Sequence, residues 1–211
     1  MPCRFLSVRT ALLCMALAAA AFAGCSRTTS RAVVIPEQNV DGLREGLSDD
    51  DSDIRFYCVV QLGTLGEEAS AAVPALTKAL TDPNENIRSS AADTLGKIGP
   101  SAAPAVKKLG RLLADPSIDV RRSSAQALGK IGADAAPAVA DLGRALKDTD
   151  EDVRLAAADA LGKIGPSARP AVDALLTALR EGDREIRRRI TRSLKQIDPN
   201  AVSRAELRPA G

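Results

Sequence analysis

Between residues 47 and 199 the chain says nearly the same thing five times. The segments LSDDDSDIR, LTDPNENIR, LADPSIDVR, LKDTDEDVR and LREGDREIR end at Arg55, Arg88, Arg121, Arg154 and Arg187, in steps of 33 residues. Each is followed by a second motif of one type: QLGTLGE, TLGKIGP, ALGKIGA, ALGKIGP or SLKQIDP. A fixed period of this length marks a solenoid, in which each unit buries its apolar face only against its neighbours. A length of 211 residues could hold two domains, but the repeat argues for one continuous stack.

Each unit reads as a helical hairpin. Val73, Leu76 and Leu80 recur as Val106, Leu109, Leu113, then Val139, Leu142, Leu146, then Val172, Leu175, Leu179. Spacings of three and four residues lie on one face of an α-helix. Ile87, Ala91, Leu95 and Ile98 define a second helix in the same way. Asp51, Asn84, Ser117, Asp150 and Asp183 stand just before that helix, and all are N-cap residue types. Gly66, Gly99, Gly132 and Gly165 follow it, where a left-handed residue is expected. Pro104, Pro137 and Pro170 stand near the start of the next helix, where a missing N–H costs little.

Hairpins carrying DP-x-x-x-VR followed by A-LGKIG resemble HEAT repeats, in particular the short type named after the phycobilisome lyases; the resemblance runs over about residues 41 to 200. It implies an all-α fold, a right-handed α-solenoid of about five hairpins, with the second helices lining a concave groove. It also implies that the ladder Arg55, Arg88, Arg121, Arg154, Arg187 bonds acids and carbonyls in the loops of adjoining units, and is structural rather than a phosphate-binding stripe. Ankyrin repeats share the period, but the T-P-L-H signature is missing.

Composition removes several chemistries. There is no His, the commonest general base and metal ligand, and no acid pair stands outside the repeat grammar. Asp49, Asp51 and Asp53 form D-x-D-x-D, but Ile54 replaces the Gly of an EF-hand loop and Val60 its Glu. No cofactor or metal is expected. Net charge is +2 overall, yet Glu37 to Glu68 holds nine acids against two bases, and Arg180 to Arg208 nine bases against five acids. The basic last unit lacks stacking aromatics, so nucleic acid is not the expected partner.

The N-terminus reads as a leader. Arg4 and Arg9 precede a 13-residue apolar run, Ala11 to Ala23, shorter than the roughly 17 to 25 residues that span a bilayer. It ends in Phe22-Ala23-Gly24-Cys25, which resembles a bacterial lipobox and implies a diacylglyceryl thioether on Cys25. The expected plan is a signal peptide over 1–24, lipidated Cys25 and a tether over 25–40, and the solenoid over 41–211. By resemblance to diderm lipoproteins, Ser26 rather than Asp after the cysteine implies an outer membrane. The alternative is soluble export, because Ala21-Phe22-Ala23 also satisfies the ordinary A-x-A cleavage rule. In the mature chain Cys58 would then have no disulfide partner and is expected to be buried.

On the outer face of the second helices three positions per unit vary: Phe56, Val60, Thr64; Ser89, Asp93, Lys97; Arg122, Gln126, Lys130; Leu155, Asp159, Lys163; Arg188, Arg192, Gln196. Phe56 and Tyr57 are the only aromatics beyond the leader. They either pack under residues 40 to 47 as a cap or anchor a partner. The resulting expectation is a noncatalytic scaffold at the cell envelope, held to a membrane by lipid, that binds a protein or peptide in the groove; oligomeric state stays open. The alternatives are an enzyme or accessory like the phycobilisome lyases, and nucleic-acid binding through the basic last unit.

Overall fold

The computed structural model describes residues 39–201, and these form ten α-helices in five consecutive pairs. The pairs are α1 (Val40–Gly46) and α2 (Ser52–Leu65), α3 (Val73–Ala79) and α4 (Glu85–Ile98), α5 (Val106–Leu112) and α6 (Ile118–Ile131), α7 (Val139–Ala145) and α8 (Glu151–Ile164), and α9 (Val172–Glu181) and α10 (Arg184–Ile197). No strand occurs among the described residues. The second helices start at 52, 85, 118, 151 and 184, reproducing the 33-residue step of the sequence. The first helix takes in Val40, one residue inside the segment read as tether, because Asn39 caps it by accepting from the Gly42 N–H. The leader, Cys25 and the segment before Asn39 lie outside the described residues.

Seven-residue helices such as α3 are too short to persist alone in water and depend on packing. Every first helix after α1 is preceded by a seven-residue 3₁₀ segment, Gly66–Ala72, Gly99–Ala105, Gly132–Ala138 and Gly165–Ala171 in turn. Pro104, Pro137 and Pro170 lie inside these segments rather than in the α-helix itself. Their fixed φ suits a 3₁₀ turn as well as an α-helix, and their small neighbours Ala102, Ala135 and Ala168 are fully buried.

The four glycines that close the second helices depart from expectation. Their φ is positive, but ψ is −126° at Gly66, −139° at Gly99, −138° at Gly132 and −142° at Gly165. That is the mirror image of the extended region, not the left-handed helix, and residues with a Cβ are more strongly excluded there. A Cβ at Gly99, Gly132 or Gly165 would meet nothing within 4 Å, so the backbone conformation alone requires glycine. At the other end of the helix, Asp51, Asn84, Asp150 and Asp183 accept N-cap hydrogen bonds as expected. Ser117 has the extended cap backbone, but its hydroxyl makes no cap bond.

The second helices form a tightly spaced layer. A Cβ on Gly96 would stand 2.9 Å from the Ala127 Cα, and one on Gly129 2.9 Å from the Ala160 Cα, so the glycines let neighbouring backbones touch. The outer interfaces add hydroxyl links: Thr94 Oγ1 donates to the Val59 carbonyl at 3.1 Å and Ser193 Oγ to the Ala158 carbonyl at 2.7 Å. The first helices are less closely joined. Lys108 Nζ spans one gap to the Thr77 carbonyl, and a Cβ on Gly143 would still be 3.8 Å from the Ala174 Cβ. The ends break the pattern: Gln61 stands in the column of Thr94, Ala127, Ala160 and Ser193, and Lys195 in the column of Gly63, Gly96, Gly129 and Gly162. Both ends of the described stack thus carry a polar side chain where the internal interfaces have a small residue, as terminal repeats require.

Between the layers lie Leu76, Leu109, Leu142 and Leu175 from the first helices and Ile87, Leu95, Leu128 and Leu161 from the second, all fully buried. Each large aliphatic side chain contributes roughly 1.5–3 kcal/mol on burial. Cys58 shares this environment at 0% exposure. Burial, aided by the Asp49 carboxylate, pushes its thiol up to about 11, which leaves it un-ionised and unreactive at neutral pH.

The arginine ladder crosses the loops. Arg121 Nε and Nη2 grip the two carboxylate oxygens of Asp148 at 2.8 and 2.9 Å, while Nη1 donates to the Asp115 and Pro116 carbonyls. Arg55 makes the same set to Asp82 and Arg88 to Asp115. Each acid also folds its own loop by accepting the backbone N–H two residues on, at Asn84, Ser117 and Asp150. Asp49 does the same for Asp51, and Asp51 caps onto Asp53, so two members of that acid triplet are committed to backbone bonds. The ladder stops after three rungs. Among the described residues Arg154 keeps the Asp148 and Thr149 carbonyls but bonds no acid, and Arg187 donates only to the Gly182 carbonyl. Glu181 holds the next acid position, where α9 runs on to that residue and the capping loop is shortened.

Arg121→Ala should lower unfolding stability by about 2–4 kcal/mol, since it leaves the buried Asp148 carboxylate unpaired, and Arg154→Ala by only about 1 kcal/mol. Urea titrations of both variants measure this, and equal losses would contradict the ladder's unequal rungs. A pH dependence accompanies it. Burial raises the Asp82, Asp115 and Asp148 carboxyls, but arginine hydrogen bonds, backbone N–H groups and nearby guanidinium charges outweigh it and hold them below the usual value. Their stabilisation is therefore complete above the unfolded value of about 3.9 and is lost as pH falls below it, through the lower folded values. Urea midpoints between pH 6 and 2 should drop in that window, and less steeply for Asp115→Asn.

Candidate functional site

The exposed face of the second-helix layer carries the candidate site. None of its fifteen variable positions is fully buried, and Lys97, Lys130 and Lys163 are all exposed. The helix period puts the three positions of a unit one turn apart, and the 33-residue step stacks like positions into columns. On α6 and α8 these columns border an open groove of about 360 Å³, to which α10 adds Arg189 from outside them.

Of the residues singled out in the sequence, the groove gathers Arg122, Gln126, Lys130, Asp159 and Lys163. It does not include Asp93, Lys97, Phe56 or Tyr57, which extend the same face toward α2, nor Arg188 and Arg192, which are exposed on α10. The two aromatics separate. Tyr57 is half-buried against the hydrophobic core, whereas Phe56 is 40% exposed and Val60, one turn on, 39%. Tyr57 therefore joins the core, while Phe56 leaves apolar surface exposed.

Besides the small Gly129, Ala156 and Ala160, three larger groove residues escaped the sequence reading of the site: Asp152, Arg189 and, beyond its place in a variable column, the half-buried Leu155. Arg189 rather than Arg188 enters the groove, and it reaches back from α10 to pair with Asp159 while also bonding Glu185 at 3.0 Å. Bonds from Glu185 and Asp159 raise its guanidinium further above its ordinary value. A signal for it existed. Its column reads Tyr57, Ser90, Ser123, Ala156, Arg189, so a large residue stands where the middle units have small ones.

The charges in the groove are unevenly satisfied. Arg122 binds Asp119 at 2.5 Å and Asp152 at 3.5 Å, and Asp159 is taken by Arg189. Lys130 and Lys163 have no ion-pair or hydrogen-bond partner among the described residues. Their stems lie back over the preceding helix: Lys130 Cδ is 3.2 Å from where a Gly96 Cβ would be, and Lys163 Cδ 3.4 Å from that of Gly129. Glycine at these positions thus serves twice, admitting the neighbouring backbone and the lysine stem. No cluster of residues suited to a metal ion occurs among the described residues, and none of their helices is long and apolar enough to cross a membrane.

Several solved structures are similar to this chain. An engineered protein is 26% identical, with 76% of this chain and 79% of that chain covered and a TM-score of 0.62. The complex of CpcE and CpcF of phycocyanin lyase from Nostoc sp. PCC7120 is 27% identical, covering 84% of this chain and 72% of that chain, with a TM-score of 0.61. A designed armadillo repeat protein in complex with the peptide (KR)4 has a TM-score of 0.63 over 75% of this chain and 82% of that chain, but at 18% identity it speaks to the fold alone. No curated protein gives a significant match. A family model for HEAT repeats matches residues 40–111 and 106–195. These two spans take in all five hairpins up to the last turn of α10, and the chain belongs to the HEAT-repeat family.

Proposed function

We propose that this protein is a noncatalytic scaffold that holds a protein or peptide in the groove of its second helices, tethered to a membrane of the cell envelope through lipidated Cys25. The observation that carries the binding half is the groove itself, where polar, charged and apolar side chains from three successive helices converge on an open surface. An extended surface built from repeated columns suits an elongated ligand, because each unit adds a similar set of contacts. The tether rests on the leader sequence alone: a basic start, a 13-residue apolar run and a cysteine at its end. Two or more acyl chains, at ~0.8 kcal/mol per buried CH₂, would give a lasting anchor where one would be marginal.

A second reading has one observation in its favour. The similarity to the CpcE and CpcF complex of phycocyanin lyase is compatible with an enzyme or accessory that handles a bilin. Its weight is limited, because an engineered protein matches with nearly the same identity and TM-score, and a shared fold is weak evidence of shared chemistry. Visible absorbance co-purifying with the protein would favour the lyase reading.

Photo-crosslinkers placed at Gln126 and Lys163 should capture a defined partner in cells, while one at Lys107, exposed on the first-helix layer, should not. Capture from Lys107 alone would move the site to the other face. Cys25→Ala should abolish incorporation of labelled fatty acid and release the protein from the membrane fraction; acylation that persists in the variant would refute lipidation at that residue.

A further inference from the structure

Resting on the groove reading above, we infer that the ligand is an extended acidic peptide segment of a partner protein, with carboxylates at every third residue seated on Lys97, Lys130 and Lys163. These lysines occupy one position in three successive units and follow one another along the C-terminal half of α4, α6 and α8. Lys97 also lies back over the preceding helix, but with its ammonium end rather than its stem nearest, Nζ being 3.5 Å from where a Gly63 Cβ would be. All three ammonium groups are exposed and without a partner among the described residues, although acids stand close by. Asp152 and Asp159 are held by Arg122 and Arg189, which leaves Asp93 as the unpaired acid beside a column of three unpaired lysines. The free charge of this face is positive, and its complement is a carboxylate-bearing chain.

Spacing narrows the conformation. Packed helices lie about 8–10 Å apart, so successive lysines are offset by about that distance. An extended chain of the polyproline II type has three residues per turn at 3.1 Å each, which brings like side chains back to one face about every 9 Å. A strand returns to the same face about every 6.6 Å and would fall out of step after one unit. Beyond the lysine column, Phe56 and Val60 provide an exposed apolar turn on α2, suited to an apolar residue flanking the acidic run. A nucleic-acid strand fits less well. Its charges are continuous, whereas Asp93, Asp152 and Asp159 punctuate this face, and no aromatic stands beside the lysines to stack a base.

The test is a fluorescence anisotropy titration of the full chain with a labelled peptide of three Glu-Pro-Pro triplets. The comparison probes are an isomer with its three Glu contiguous, a Lys-Pro-Pro analogue and a nine-nucleotide single strand. The triplet peptide should bind several-fold more tightly than its isomer, and the basic analogue should not bind. The combined variant Lys97→Gln, Lys130→Gln, Lys163→Gln should weaken binding by about tenfold or more, with a shallower salt dependence. These lysines are exposed, so the variant should retain its unfolding midpoint, which circular dichroism checks. Equal affinity for the two isomers, or an unchanged affinity in the triple variant, would overturn the inference; tighter binding of the oligonucleotide would replace it with a nucleic-acid site. If groove crosslinkers still capture a partner while the triplet peptide fails to bind, this inference alone falls. Failure of groove capture would remove the reading on which it rests.

Discussion

The close contact of second-helix backbones at glycine is the constraint from which the rest of the structure follows. Gly96 and Gly129 admit the Cα atoms of Ala127 and Ala160 to distances no side chain would allow. Packing at that range makes the second helices one close layer. It also decides where the lysine stems go, because the space above each glycine is the trough in which the next unit's Lys lies. Fold and candidate site therefore share an origin. Replacing Gly129 with a larger residue would push apart two helices and lift Lys163 from its trough in one step.

The arginine rungs supply what the glycine contact lacks, which is register. Apolar faces repeated every 33 residues would tolerate sliding along the helix axis, but a bidentate Arg–Asp pair with two further carbonyl bonds fixes the N-terminal ends of α2, α4 and α6 to the next loop. With glycine contacts nearer the C-terminal end, α4, α6 and α8 are pinned at both ends. The last interface is built differently. The Arg154 rung finds no acid, and α10 is joined to α8 through the Ser193 hydroxyl and the Arg189–Asp159 pair. That pair is about one-third exposed, so solvent screening leaves it weaker than a buried rung.

Most of the fold was legible because the repeat turns one sequence into five aligned observations. Apolar spacing, cap residues and the Arg and Asp columns each recur often enough to be read without structure. What escaped depends on contacts between units. Gly96 looks like part of a local A-LGKIG motif, yet its role is fixed by Ala127, 31 residues on, so nothing local reveals it. The 3₁₀ segments were hidden for another reason: Gly-Pro-Ser-Ala-Ala-Pro-Ala has no apolar period to distinguish it from a helix start. The mirror-extended glycines were expected to be left-handed because a sequence signals positive φ but not ψ. In the site, columns identified the exposed positions correctly, but column membership alone could not say that Arg189 folds inward while Arg188 stays out.

The departures from the repeat separate structure from candidate function more sharply than the repeat itself does. Gln61 and Lys195 replace small residues at the two faces where stacking ends, which makes them terminating features. Tyr57 and Arg189 break the same column at opposite ends of the stack, one toward the core and one toward Asp159, and both fill space that the middle units leave to Ser or Ala. The lysine column behaves in the opposite way. It keeps to the repeat through three units, gives way to Thr64 and Gln196 at the ends, and bonds no neighbour. The stems of Lys130 and Lys163 pack over glycine, but their charges hold no loop as the rung arginines do, and it is this repeated charge that the inferred ligand would match, with one carboxylate for each unit it crosses.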